Sequence, residues 1–311
     1  MTVVSVIVPV YNRAAMVAEA IDSALRAAPE LEVEVVVVDD ASTDDTWAAL
    51  EANRDARVRP LRLKRNGGQS AARNHALEVT RGRYVKFLDS DDLLLPGQLA
   101  EEVRALDAGA DIAVSGWISE SPGGATVSFE PPLFDSIVDD VLAGRAVPTS
   151  AALYRRRGDW RWDPSLRKLD DWDYFSQAAL GASRIATLPG NTFVMRHHGG
   201  ARATDAGLFA NAREHHQILH KIERRLAGEG RLTEARRRRL AQYFYKELRV
   251  LSLHDDEAFE TALRHIKELD PRFQPRDEER QRFMRLLARV LGVRSTLRLH
   301  RSIKRAVQRW R

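Results

Sequence analysis

Apolar runs and helical periodicity alternate through the first 115 residues. Residues 3–8 form a nearly continuous apolar run, Val3-Val4-Ser5-Val6-Ile7-Val8, residues 33–38 form a second, and residues 58–63, 84–88 and 112–114 are strand-like. Between them the spacing of apolar positions predicts helices over residues 14–28, 44–53, 69–79 and 96–108. A strand that is apolar throughout has no face for water and must be covered on both sides. Alternating helices supply that cover, so the pattern predicts a mainly parallel sheet. Residues 119–132, rich in Gly, Pro and Ser, read as a loop or irregular hairpin, and weaker signals continue to about residue 204. From there the pattern is helical: residues 208–226, 233–253, 258–269, 277–291 and 295–310, interrupted by Gly228, Gly230, Pro271 and Pro275. The chain therefore divides into an α/β unit, 1–204, and an all-helical region, 205–311.

Charge follows the same division. Residues 1–204 hold 23 Lys/Arg against 29 Asp/Glu, whereas residues 205–311 hold 26 against 15. Residues 282–311 contain ten basic and no acidic side chains. The acidic part is expected to hold the chemistry and the basic part to face something anionic. With no cysteine in 311 residues, disulfides, thiolate metal sites and cysteine nucleophiles are excluded. No apolar run approaches the roughly 20 residues that span a bilayer, and residues 1–10 lack the pattern of a signal peptide. The expected location is the cytoplasm.

In an open sheet of this type ligands bind beyond the carboxyl ends of the strands. Polar residues gather at those ends: Tyr11-Asn12, Asp39-Asp40 and Asp89-Ser90-Asp91-Asp92. Alternating carboxylates at a strand end point the same way if the strand persists. Their repulsion invites a hard divalent cation such as Mg²⁺ or Mn²⁺, itself a bridge to phosphates. The plainer alternative is a helix N-cap. Asn66-Gly67-Gly68 permits positive φ and close backbone approach, and Arg73 lies on the helix that follows. Leu169-Asp170-Asp171-Trp172-Asp173-Tyr174-Phe175 opens a helix with three acids, more than complementing a helix dipole needs.

Four blocks in order resemble glycosyltransferase family 2, the nucleotide-diphospho-sugar transferases of GT-A fold. They are Val4–Asn12, Val37–Asp44, Asn66–Asn74 and Phe87–Asp92. The resemblance implies a Rossmann-like sheet with helices on both faces and gives each block a role. Pro9, Tyr11, Asn12 and Asp40 would hold the nucleotide base; Gly67, Arg73, Asp89 and Ser90 would hold the ribose and diphosphate. Asp91 would bind Mn²⁺ or Mg²⁺. Asp171, aligned on the family's Glu-Asp-Trp-type motif, would be the base that deprotonates an acceptor hydroxyl, with Asp170 and Trp172 as acceptor contacts or supports. The family's Arg-x-His pattern selects His198 as a second metal ligand over His197, and a one-residue slip leaves His197 open.

The implied reaction is inverting, metal-dependent and non-processive transfer from a UDP-, GDP- or dTDP-type donor to a glycan or lipid-linked acceptor. Gln308-Arg309-Trp310 lacks the spacing of the processive synthases' motif. Alternatives are a sugar-phosphate nucleotidyltransferase, opposed by the glycine-free Tyr11-Asn12-Arg13, and a nucleic-acid-binding protein, for which no motif is present. No specific nucleic acid is expected as a partner. Val293, Leu297, Ile303, Val307 and Trp310 are spaced roughly as one helical face among arginines. That pattern fits either peripheral contact with the inner face of an anionic membrane or a helix packed on the catalytic domain with solvated arginines.

Overall fold

The computed structural model describes residues 3–198, 208–251, 256–274 and 295. It forms two compact units, Met1–Arg202 and Ala203–Arg311. In the first, β1 (Val4–Val10), β2 (Val33–Asp39), β3 (Val58–Arg62) and β4 (Tyr84–Phe87) pair in parallel in the order β3-β2-β1-β4. Helices α1 (Ala14–Arg26), α2 (Thr46–Ala52) and α3 (Gln69–Val79) connect them. All seven positions of β1 and of β2 are buried, the double-sided burial that their unbroken apolar runs require.

Beyond β4 the sheet becomes mixed. β5 (Leu93–Leu94), α4 (Gln98–Asp107), β6 (Ile112–Glu120) and β7 (Thr126–Phe129) follow in the chain. After them come α5 (Ile137–Val141), a short 3₁₀ turn, β8 (Ala152–Arg155), α6 (Asp170–Gly181) and β9 (Ile185–Arg196). β8 inserts antiparallel between β4 and β6, and β9 runs parallel to β6. The α/β pattern therefore holds, with antiparallel strands added on one side. The stretch read as loop or hairpin is a hairpin: β6 and β7 pair from Trp117–Phe129 to Glu120–Thr126.

A buried ion pair locks α4 to the sheet. Lys86 Nζ on β4 donates to Glu102 Oε1 and Oε2 at 3.0 and 2.8 Å and to Thr192 Oγ1 at 3.1 Å, while Ser115 Oγ donates to Glu102 Oε1 at 2.8 Å. Both charged side chains are fully buried, so these bonds must replace the water that each ion has lost. Gly82 leads into β4 because a Cβ there would lie 2.5 Å from the Ser5 backbone nitrogen.

The second unit contains α7 (Leu208–Gly228), α8 (Glu234–Leu251) and α9 (Asp256–Leu269), with α8 packed against both others. Ile218, Ile222, Leu240, Phe244, Leu248, Phe259 and Ile266 form its core. Among the described residues no helix is long and apolar enough to cross a membrane. The helices read from residues 277–291 and 295–310, with the basic face around Trp310, lie outside the described residues, apart from the single residue 295.

Candidate active site

Arg73 is the hub of the site. It lies on α3 with its side chain fully buried, and its guanidinium reaches three carboxylates. Nη2 donates to Asp89 Oδ1 at 2.6 Å, and Nη1 donates to Asp171 Oδ1 at 3.1 Å and Asp170 Oδ2 at 3.4 Å. The cation also lies 4.1 Å from the ring centroid of Trp162, itself stacked on Tyr174. A rigid planar fork spreads its donors over carboxylates on different sides of the group, which the compact ammonium of a lysine does not. Its ionisation is driven higher still: burial opposes the charge, but Asp89, Asp171 and Asp170 outweigh it.

The three carboxylates differ in exposure. Asp170 is 2% exposed and takes hydrogen bonds from Gln69 Nε2 at 2.9 and 3.0 Å and from Ser70 Oγ at 2.8 Å. It ties the first turn of α6 to α3. Asp171, one residue on, has its side chain 38% exposed, and Asp89 on the far side of the guanidinium is 39% exposed. The Asp171 carboxyl is pushed up to about 6, first by loss of water around it, against the pull of Arg73 and with repulsion from Asp170 and Asp89. Asp89 is raised for the same reasons, with Asp91 as an added repulsion. A helix N-terminus and an arginine both favour an ionised Asp171, yet the loss of water, with the neighbouring acids behind it, wins.

The strand does not persist through Asp89–Asp92, which is a turn. β4 stops at Phe87, and Asp92 N–H donates to the Asp89 carbonyl at 3.0 Å. The turn gathers a carboxylate oxygen from each of Asp89, Asp91 and Asp92 within 4.8 Å of one another. Arg196 at the end of β9 is stitched to this turn, its N–H donating to Asp92 Oδ1 at 2.9 Å and its Nε to the Asp91 carbonyl at 2.6 Å. That stitching sets His198 Nε2 2.8 Å from Asp91 Oδ2. His197 turns the other way, its Nε2 2.8 Å from Ser119 Oγ on β6. An imidazole nitrogen beside carboxylate oxygens is a donor set that fits Mn²⁺, and the oxygens alone would suit Mg²⁺. Arg13 adds a cation on the same rim, with Nε 4.0 Å from Asp91 Oδ2.

At the ends of β1 and β2 the backbone is bent sharply. Asn12 and Ala41 have φ of 51° and 59°, in the left-handed region that side chains rarely adopt. The two bends are cross-linked: Asn12 N–H donates to Ser42 Oγ at 2.9 Å, and Asn12 Oδ1 accepts from Thr43 N–H at 2.8 Å. Such strain persists where surrounding bonds over-determine it, commonly at binding sites. Pro9 lies inside the buried run, which ends at Val10, and Tyr11 follows with 43% exposure, an open ring at the strand edge. Asp40 is buried and accepts from Gly67 N–H at 2.7 Å and Gly68 N–H at 2.8 Å, so both its oxygens hold the glycine turn. Ser90 and Trp172 are both buried.

The structure thus brings Arg73, Asp89, Asp170 and Asp171 into one cluster and sets Asp91 beside His198. It adds partners that the sequence did not single out: Gln69, Ser70, Trp162 and Arg13. Of these only Arg13, next to Tyr11-Asn12 and basic at a strand end, carried a signal in its position.

A family model, glycosyl transferase family 2, matches residues 5–157. The succinoglycan biosynthesis protein ExoO of Rhizobium meliloti is 46% identical over 112 residues, 36% of this chain and 32% of that protein. The UDP-Glc:α-D-GlcNAc-diphosphoundecaprenol β-1,3-glucosyltransferase WfaP of Escherichia coli is 33% identical over 107 residues, 34% of this chain and 42% of that one. The chain therefore spans less than half the length of these relatives. Among solved structures, residues 1–349 of Staphylococcus aureus TarS in complex with UDP-GlcNAc superpose with a TM-score of 0.71 at 22% identity, covering 98% of this chain and 92% of that one. That likeness extends the shared fold beyond the α/β unit.

Proposed function

With its residues 5–157 the chain belongs to glycosyl transferase family 2, and from that premise we propose that it moves a sugar from a nucleotide-diphospho-sugar to an acceptor hydroxyl. The transfer is a single displacement that inverts the anomeric centre, within polysaccharide or lipid-linked glycan assembly. The observation that carries this reading is Asp171 beside Arg73, half-open to solvent at the carboxyl edge of the sheet. A carboxyl near 6 is ionised at neutral pH yet basic enough to take a proton as an acceptor oxygen attacks. Arg73 keeps it ionised and aimed, and Asp170, spent on α3, fixes the first turn of α6 that presents it.

Donor binding falls to the opposite side of the cluster. Tyr11 offers its exposed ring to a nucleobase, while the Asp40-held glycine turn brings backbone close to the nucleotide. Asp89 meets Arg73 through Oδ1, and its other oxygen serves a ribose hydroxyl. Asp91 and His198 would hold Mn²⁺ or Mg²⁺, which when bound supplies positive charge against the diphosphate leaving group. WfaP is named for a UDP-sugar and TarS is seen in complex with one, which favours a UDP-type donor; the diphosphoundecaprenol in the WfaP name favours a lipid-linked acceptor.

A screen of UDP-, GDP- and dTDP-sugars with either metal, read as nucleoside diphosphate release, tests the donor class. Turnover is expected with a UDP-sugar. Asp171→Asn should lower it at least about a hundredfold, the low end for a general base, with calorimetric donor affinity preserved. Near wild-type transfer by that variant would remove Asp171 from the mechanism.

A further inference from the structure

Two helices of the second unit carry the same spaced pair, His220-x-x-Glu223 on α7 and His265-x-x-Glu268 on α9. Three residues apart on a helix puts both members on one face, and the two pairs converge. Glu223 Oε2 lies 2.7 Å from His265 Nε2 and 3.5 Å from His220 Nδ1, and the two imidazole centroids are 4.7 Å apart. We infer that His220, Glu223 and His265 form a binding site for a divalent transition-metal ion, with zinc the best fit. Nothing in the glycosyl-transfer reading uses these residues.

Four observations support it. One ligand atom from each residue lies within 4.8 Å of the others, and the 2.7 and 3.5 Å separations of Glu223 from the two imidazoles bracket the separation of about 3.3 Å that tetrahedral zinc imposes at bonds of about 2.0–2.1 Å. Glu268 Oε2 stands 3.4 Å from His265 Nδ1, the outer carboxylate that commonly orients a metal-bound imidazole. Fully buried Phe244 on α8 packs against both rings, at 4.8 Å from His220 and 5.1 Å from His265, and so forms a dry floor that fixes their planes. Finally, a cleft of about 350 Å³ lined by His216, His220, His265 and Glu268 gives an ion a way in and leaves a coordination position for water. Two imidazoles and one carboxylate make a donor set of zinc type; magnesium disfavours imidazole.

The full chain carrying Asp91→Ala and His198→Ala, which removes the ligands assigned above to the catalytic metal, isolates this site. Equilibrium dialysis of that protein against micromolar zinc should retain about one ion per chain, and cobalt(II) should show the visible absorption of a four-coordinate site. Adding Glu223→Gln or His265→Ala should abolish both, with helix content by circular dichroism unchanged. Glu268→Gln, which touches no ligand atom, should weaken zinc about 10–100-fold and serves if a ligand variant fails to fold. Absence of retained zinc in the starting protein would overturn the proposal, and so would zinc held equally by all four proteins. In either case His265 and Glu223 form only an interhelical ion pair. Turnover by the wild type is a separate readout, so failure here leaves the transferase reading standing.

Discussion

Replacing Arg73 tests the most connected point of the site. Arg73→Met keeps a long apolar stem over Trp162 but removes the charge that faces Asp89, Asp170 and Asp171. Breaking a buried ion pair from one side costs about 3–5 kcal/mol, because the abandoned charge stays buried. Asp170 keeps Gln69 and Ser70 as donors, and Asp89 and Asp171 are part-exposed, so the lower end, about 3 kcal/mol, is expected here. Urea unfolding should show it as a midpoint lower by about 1–2 M. The chemical consequence is more specific. An arginine at this distance lowers a carboxyl by about 1–3 units, so without it Asp171 should rise from about 6 towards neutrality or above. A base works only when deprotonated, so activity is lost as pH falls through its pKa. The acid limb of the pH–rate profile should therefore move from near 6 to higher pH in Arg73→Met. Arg73→Lys restores a charge without the fork and should fall between the two. A folded Arg73→Met protein whose acid limb stays where the wild type has it would refute the linkage between Arg73 and the base.

Lys86→Met strands the buried Glu102 and should cost about 3–5 kcal/mol by denaturant unfolding, whereas Lys86→Met with Glu102→Leu should recover most of it; equal losses would show that the pair is not coupled. Asp91→Ala should abolish metal-dependent UDP binding by calorimetry while circular dichroism stays native, since Asp91 sits in an open turn rather than in the core. Unchanged affinity with Mn²⁺ would move the metal elsewhere.

The strands β1 and β2 were legible because each is a nearly unbroken apolar run, and a run buried on both faces has one stable use; β3 and β4 were legible from their place in the alternation with helices. The remaining strands were harder for definite reasons. β5 has two residues, β7 is exposed at every position, and β8 has four residues whose neighbours β4 and β6 come from distant parts of the chain. No local period encodes an insertion of that kind. In the site, Asp89, Asp91 and Asp171 stood out because like charges crowded at a strand end and a helix start need a reason, and Arg73 because it follows the glycine turn. Their geometry did not. That Asp170 is spent on Gln69 and Ser70, and that Trp162 lies against Arg73, follow from the packing of α6 on α3. The arrangement of His197 against Ser119 and His198 against Asp91 depends on Arg196 anchoring β9 to the Asp89–Asp92 turn, a contact between segments about a hundred residues apart. His220 and His265 read as ordinary polar positions until α7 and α9 bring them face to face.

The mechanism turns on one displacement assisted by Asp171, and the stereochemistry of the first-formed product reports on it directly. Proton NMR can follow the sugar transferred, or slowly released to water, from an α-configured UDP-sugar before anomers equilibrate. Inversion requires the β-anomer to appear first, and Asp171→Asn should suppress it. An α-anomer appearing first would contradict the account.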